Sequence, residues 1–267
     1  ALALVIVPAA VSSFIVAIRL WKRVFDRDFA IVEDILLFLA QVLILVFTST
    51  TCVAYQKSWY GYHYYEIPEG VVDHTEVQKW SFINSVIYNP ILGLIKASFL
   101  ITLIKLRSPN PLIHYSLWVI FTVNALSTIV ASLVCILQCR PIARFWDRSI
   151  LGICLDAANY TYGTMGIVLV TDVMVLIMPI WIIYNLLMPL KRKLMAAAFL
   201  SFGFAVTGIG AYRFYMYSER FEQTNNLDMN YDVRQGLSNV EVSLASIGAC
   251  GGTVKWVLGL FIPFFAG

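Results

Sequence analysis

Seven mostly apolar stretches follow one another along the chain, at about residues 1–20, 34–56, 80–105, 113–138, 159–188, 194–217 and 237–260. A helix rises about 1.5 Å per residue, so roughly 20 such residues cross about 30 Å of hydrocarbon. Between the stretches Lys, Arg, Pro and Asn gather, from Arg19 to Arg27, from Arg107 to Pro111 and from Pro189 to Lys193. No internal repeat or low-complexity segment breaks the series. The pattern predicts an all-α fold, a single seven-transmembrane helix bundle over residues 1–267. The seventh stretch is the most polar, with Ser238, Asn239, Glu241, Ser243, Ser246 and the run Gly251-Gly252-Thr253. Such a segment is expected to face the bundle interior on most sides.

Composition removes the alternatives to a membrane. Apolar residues make up 60% of the chain and charged residues 13%, against about 45–50% and about 25% in soluble domains. The lipid bilayer is therefore the first partner, in a plasma membrane or an endomembrane. The net charge of +3 and the absence of any basic run longer than Lys191-Arg192-Lys193 speak against nucleic acid.

Seven spans sort the connections into two faces. Loops 19–33, 105–112 and 189–193 share a face with the C-terminus and carry nine Lys and Arg; loops 57–79, 139–158 and 218–236 carry seven. The positive-inside rule makes the first face cytoplasmic and puts the N-terminus outside. Cys139 and Cys154, the two loop cysteines, lie in one connection on the outer face, where an oxidising compartment permits a disulfide. Two free thiols at helix ends are the alternative.

Charge inside a span is costly and points to function. Four ionisable residues qualify: Lys96, Asp172, Arg213 and Glu241. Counted from the outer span ends at about 1.5 Å per residue, Lys96 and Asp172 lie roughly 24 and 20 Å deep, Arg213 and Glu241 roughly 8 and 7 Å. Each cation thus has an anion at its own level, which predicts the pairs Lys96–Asp172 and Arg213–Glu241. They read either as a deep polar site under an outer vestibule or as structural pairs that fix helix registry. Asn84, Tyr88, Asn89, Asn124, Gln41 and Thr171 extend the same network or make simple interhelical hydrogen bonds.

The outer loop 57–79 packs five aromatics between Trp59 and Tyr65 around His63, either an interface belt or a lid over a ligand mouth. His63 and His74 with Glu66 and Asp73 have the residue types of a metal or acid–base site, but the eleven-residue gap matches no ligand spacing, so no metal is expected. Retinal is not expected either. Lys255, the lysine of the last span, sits near its inner end, and span three holds no acid to serve as counter-ion. No cofactor is expected.

Taken in order, Glu33-Asp34, Gly61-Tyr62-His63, Lys96-Ala97-Ser98, Gln138-Cys139-Arg140-Pro141, Trp146-Asp147, Cys154, Asp172, Pro179, the Leu186 to Lys193 turn, Arg213 and Glu241 form a series of landmarks. On these the chain resembles the fungal rhodopsin-domain integral membrane proteins, a group with receptor-like members and members found with secondary-metabolite genes. The resemblance implies a seven-helix bundle with its N-terminus outside and a Cys139–Cys154 disulfide. It departs at Gly251-Gly252-Thr253-Val254-Lys255, where a Pro-containing stretch is common.

The functional expectation is a receptor-like protein that binds a small hydrophobic molecule from the outer face, with Lys96, Asp172, Arg213, Glu241, Asn89, Tyr88 and His63 as ligand-binding candidates. Its short basic inner loops would meet a cytosolic signalling partner. The alternative is a membrane-embedded cyclase or isomerase of a lipophilic metabolite, with Asp172 or Glu241 as acid or base, Lys96 or Arg213 holding developing anionic charge, and His63 as a further candidate.

Overall fold

The computed structural model describes residues 2–25, 31–59, 73–105, 111–185, 190–222 and 234–251. Among these the chain forms seven α-helices: α1 (Leu2–Phe25), α2 (Ile31–Ser58), α3 (His74–Lys105), α4 (Pro111–Ile136), α5 (Ala157–Asn185), α6 (Leu190–Glu222) and α7 (Arg234–Ala249). Between α4 and α5 lies a short antiparallel pair, β1 (Cys139–Arg140) and β2 (Ile153–Cys154), with a 3-10 turn over Ile142–Phe145. Five of the helices, α1 to α5, contain segments long and apolar enough to cross a membrane.

Helices α2 to α7 begin two to six residues before the apolar stretches alone imply, and α1, α2 and α6 also end later. α3 starts at His74, in what the apolar pattern reads as loop, because the Asp73 side chain accepts the backbone N–H of Thr75 at 3.0 Å and of Glu76 at 3.4 Å. α2 opens with Glu33 and Asp34, carboxylates that suit the positive end of a helix dipole.

Each helix packs on the next, and α7 packs back on α1, closing a ring; α3 also meets α5 and α7. The outer surface of this ring is apolar, with Phe14, Phe38, Leu45, Leu126, Ile129 and Ile177 exposed. Polar side chains turn inward: Ser12, Gln41, Asn124, Asn239, Ser243 and Ser246 are all buried. That inversion is what lipid selects, since apolar side chains gain nothing by leaving hydrocarbon while polar ones gain partners by turning inward. Gln41 illustrates it, donating to Ser13 at 2.8 Å on α1 and accepting from Ser246 at 3.1 Å on α7. Asn124 on α4 donates to the Gly93 carbonyl on α3 at 3.1 Å. Only glycine fits at position 93, because any side chain there would run into Thr128.

Two apolar clusters complete the core. One joins α1, α2, α3 and α7 through Val16, Leu37, Ile44, Phe47, Ile91 and Val242. The other joins α3, α4 and α5 through Leu100, Ile113, Leu117, Val175 and Met178.

Candidate functional site

Polar and charged groups inside the bundle fall on three levels. At the end that carries the β-pair, Arg213 of α6 meets Glu241 of α7, Nη1 to Oε2, at 3.0 Å. The same Oε2 accepts the Tyr88 hydroxyl at 2.8 Å, and Arg213 Nη1 also donates to Ser238 Oγ at 2.7 Å. The guanidinium lies over the Tyr88 ring, 4.4 Å from its centroid, a cation–π stack that ties α3 to α6. Gly210, one turn from Arg213, makes room for the pair, since a Cβ there would stand 3.1 Å from Glu241 Oε1. Glu241 is 1% exposed.

Deeper in the bundle, Lys96 of α3 meets Asp172 of α5, Nζ to Oδ1, at 2.8 Å. Lys96 Nζ also reaches Thr171 Oγ1 at 2.9 Å and the Val168 carbonyl at 3.3 Å. An ammonium has three hydrogens, and here each has an acceptor. The two pairings inferred from depth along the spans are thus the pairings in the structure.

The third level, at the opposite end, is one that the apolar pattern does not mark as a site. Arg19 Nε meets Asp34 Oδ1 at 2.9 Å, and its Nη1 donates to the Ala249 carbonyl at 2.8 Å, capping the last turn of α7. Glu33 meets Lys105 at 2.8 Å and Arg23 at 3.4 Å, and its carbonyl accepts from Ser98 at 2.8 Å. Arg19, Glu33 and Asp34 are all buried. A signal for it does exist along the chain: a cation ending one span and two acids opening the next must lie on the same face.

A cavity of about 700 Å³ lies above the first level, within the roughly 300–1,000 Å³ range of small-molecule sites. Its walls come from α3 (Ser81, Asn84, Ser85, Tyr88, Asn89), α5 (Tyr160, Thr164, Met165, Val168), α6 (Arg213, Tyr217) and α7 (Gln235, Ser238). The connection between α4 and α5 covers one side with Arg144, Phe145, Arg148 and Leu155. The Cys139–Cys154 disulfide bonds the two strands of that connection. Phe145 and Trp146 seat it on Phe82 of α3, at ring-centroid distances of 5.1 and 6.0 Å. Arg144 Nη1 donates to the Ile150 carbonyl at 2.6 Å. Beside them the Ser149 hydroxyl and backbone N–H donate to Asp147, which holds its carboxyl below the ordinary range.

Of the residues singled out from sequence, Asn84, Tyr88, Asn89 and Arg213 stand in the cavity wall, and Glu241 lies directly behind Arg213. Lys96 borders a separate void of about 10 Å³ between α3, α4 and α5, which Asn89 also lines; that is room for about one water. His63, Glu66 and Lys255 lie outside the described residues. Arg144 and Arg148 escape a reading of the sequence as site residues, because nothing in a loop's composition says which cavity it covers. Among the described residues no three metal-ligating side chains cluster.

Among the described landmark residues, Cys139 and Cys154 close a connection over the buried pairs Lys96–Asp172 and Arg213–Glu241 of one helical ring. A family model, the fungal rhodopsin domain, matches residues 18–259. This chain belongs to the fungal rhodopsin-domain family. No curated protein and no solved structure matches it. Family membership and the five membrane-compatible helices make this fungal rhodopsin-domain protein a multi-pass integral membrane protein.

Proposed function

We propose that this fungal rhodopsin-domain protein is a receptor-like, seven-span membrane protein that binds a small molecule in the cavity beneath the disulfide-closed connection. In this reading the whole chain is one bundle, with α6 and α7 as the sixth and seventh spans. The N-terminus and the disulfide end face the non-cytoplasmic side. The basic-loop asymmetry and the compartment that a disulfide requires both support that orientation. The observation that carries the binding role is the 700 Å³ cavity itself, floored by the Tyr88–Arg213–Glu241 cluster.

Tyr88, Asn89 and Arg213 are then the ligand-facing residues, with Glu241 holding Arg213 in place. Lys96 and Asp172 sit below the cavity and take a positioning role. A catalytic role for Asp172 or Glu241 needs a carboxyl in contact with the bound molecule. Neither residue is among the described residues that line the cavity, so binding is the better-supported reading.

The test is incubation of the protein in lipid nanodiscs with fractionated small-molecule extracts, followed by mass spectrometry of bound and free fractions. Recovery of bound molecules unchanged is the expected result. Conversion of a molecule to a new product, lost in Glu241→Gln, would replace the receptor reading with the enzymatic one.

A further inference from the structure

We propose that the cavity selects an organic anion, a carboxylate-bearing molecule with an apolar body, rather than a neutral or cationic one. The inference rests on the ligand-binding reading above and narrows it. Three guanidiniums, those of Arg144, Arg148 and Arg213, border the cavity, and among the described residues that line it there is no carboxylate. Arg213 is balanced by Glu241. Arg144 and Arg148 have no carboxylate partner among the described residues, so the described part of the wall carries more positive than negative charge.

Glu76 faces Lys57 at 4.0 Å; Asp147, in the same connection as Arg144 and Arg148, accepts from Ser149 and keeps its negative charge, but neither it nor Asp156 lines the cavity. Charge set in low-dielectric walls raises the local concentration of the opposite charge and discriminates by sign.

A second, independent observation points the same way. Two side chains in the wall hold a buried donor that has no acceptor, Asn84 Nδ2 and Arg213 Nε. Asn84 is 2% exposed and Arg213 5%. Asn84 spends its carbonyl oxygen accepting from Thr50 at 2.6 Å, which leaves its amide hydrogens for another partner. A buried donor without an acceptor carries a standing desolvation cost. Both donors are covered in this structure, so a ligand oxygen reaches them only after a side-chain shift; an acceptor suits them and an ammonium, itself only a donor, does not. Phe47, Phe145, Leu155, Met165 and Val168 supply the apolar part of the wall for the rest of the molecule. The ligand class is therefore an amphipathic acid, anionic at one end.

The test uses a paired probe set in nanodiscs: indole, naphthalene, biphenyl and medium-length alkyl skeletons, each as carboxylate, methyl ester and primary amine, with retention read by affinity-selection mass spectrometry. Empty nanodiscs and Ser85→Trp, which fills the cavity from an exposed position of α3, subtract partitioning into lipid. Carboxylates should be retained above their esters and amines. Reversing the exposed Arg148 with Arg148→Glu should weaken their retention about tenfold or more, the size of one lost charge-assisted hydrogen bond. Arg144→Gln should weaken it in the same direction.

Esters or amines retained as well as acids, and blocked by Ser85→Trp, would overturn the anion assignment while leaving ligand binding intact. Carboxylate retention unchanged in both Arg148→Glu and Ser85→Trp would also overturn it. No retention in any class, by protein that still melts cooperatively, would overturn the binding reading itself.

Discussion

Two of the ion pairs between helices, Lys96–Asp172 and Arg213–Glu241, have different surroundings. At Lys96–Asp172 every ammonium hydrogen has an acceptor within 3.3 Å, and the adjoining void is about 10 Å³. At Arg213–Glu241 one guanidinium nitrogen lacks an acceptor, and the neighbouring cavity is about 700 Å³. A buried charge that is fully satisfied gains nothing from a ligand, so the deeper pair holds α3 to α5. A charge left partly unsatisfied beside open space is poised to take a further partner. Chemistry that looks equivalent along the chain thus divides into scaffold and candidate site by the space beside it.

The largest effect should come from breaking either pair. Removing one partner of a buried ion pair costs about 3–5 kcal/mol, whereas replacing both with apolar residues is often close to neutral. Lys96→Met and Asp172→Leu should each lower thermal stability by that order, and the double variant should recover most of it. Arg213→Met and Glu241→Leu should show the same coupling in stability. The comparison sharpens in the binding assay: the Lys96/Asp172 double variant should keep ligand retention, and the Arg213/Glu241 double variant should lose it. Equal retention in both would erase the distinction between scaffold and site.

An intermediate effect is expected from the disulfide that closes the connection over the larger cavity. Its sequence separation is 15 residues, and opening a loop of about that length costs about 3 kcal/mol in the chain-entropy account. Cys139→Ser with Cys154→Ser should lower the melting temperature and weaken ligand retention. The Lys96–Asp172 coupling, measured in that background, should stay the same. A changed coupling would mean that the two levels communicate.

The smallest effect belongs to single interhelical hydrogen bonds around the cavity, each worth about 0.6 kcal/mol in a membrane bundle. Thr50→Val removes the donor to Asn84 at 2.6 Å and should cost about that much in stability by double-mutant cycle with Asn84→Leu. A loss of several kcal/mol would show that the level beside the larger cavity is as tightly built as the deep one.

The ion-pair partners are legible in the sequence because depth follows directly from residue count, and charge in hydrocarbon must find charge at its own depth. The disulfide is legible because compartment and topology leave Cys139 and Cys154 together. The network of Arg19, Glu33, Asp34 and Lys105 is harder to read, since these residues fall at or beside the span boundaries, where hydropathy does not say that the helix ends bury Arg19, Glu33 and Asp34. Arg144 and Arg148 are not legible as cavity residues. Their position depends on Phe145 and Trp146 seating the connection on Phe82, a contact between segments far apart along the chain.

Sequence by itself determined the solvent of this protein, its helical character and the levels at which charge must pair, because these follow from composition and from a fixed rise per residue. Tertiary structure alone decided which pair is enclosed and which borders a cavity, and which donors are left without acceptors. Those properties depend on how seven helices lean against one another, and a one-dimensional hydropathy pattern carries no record of the space between them.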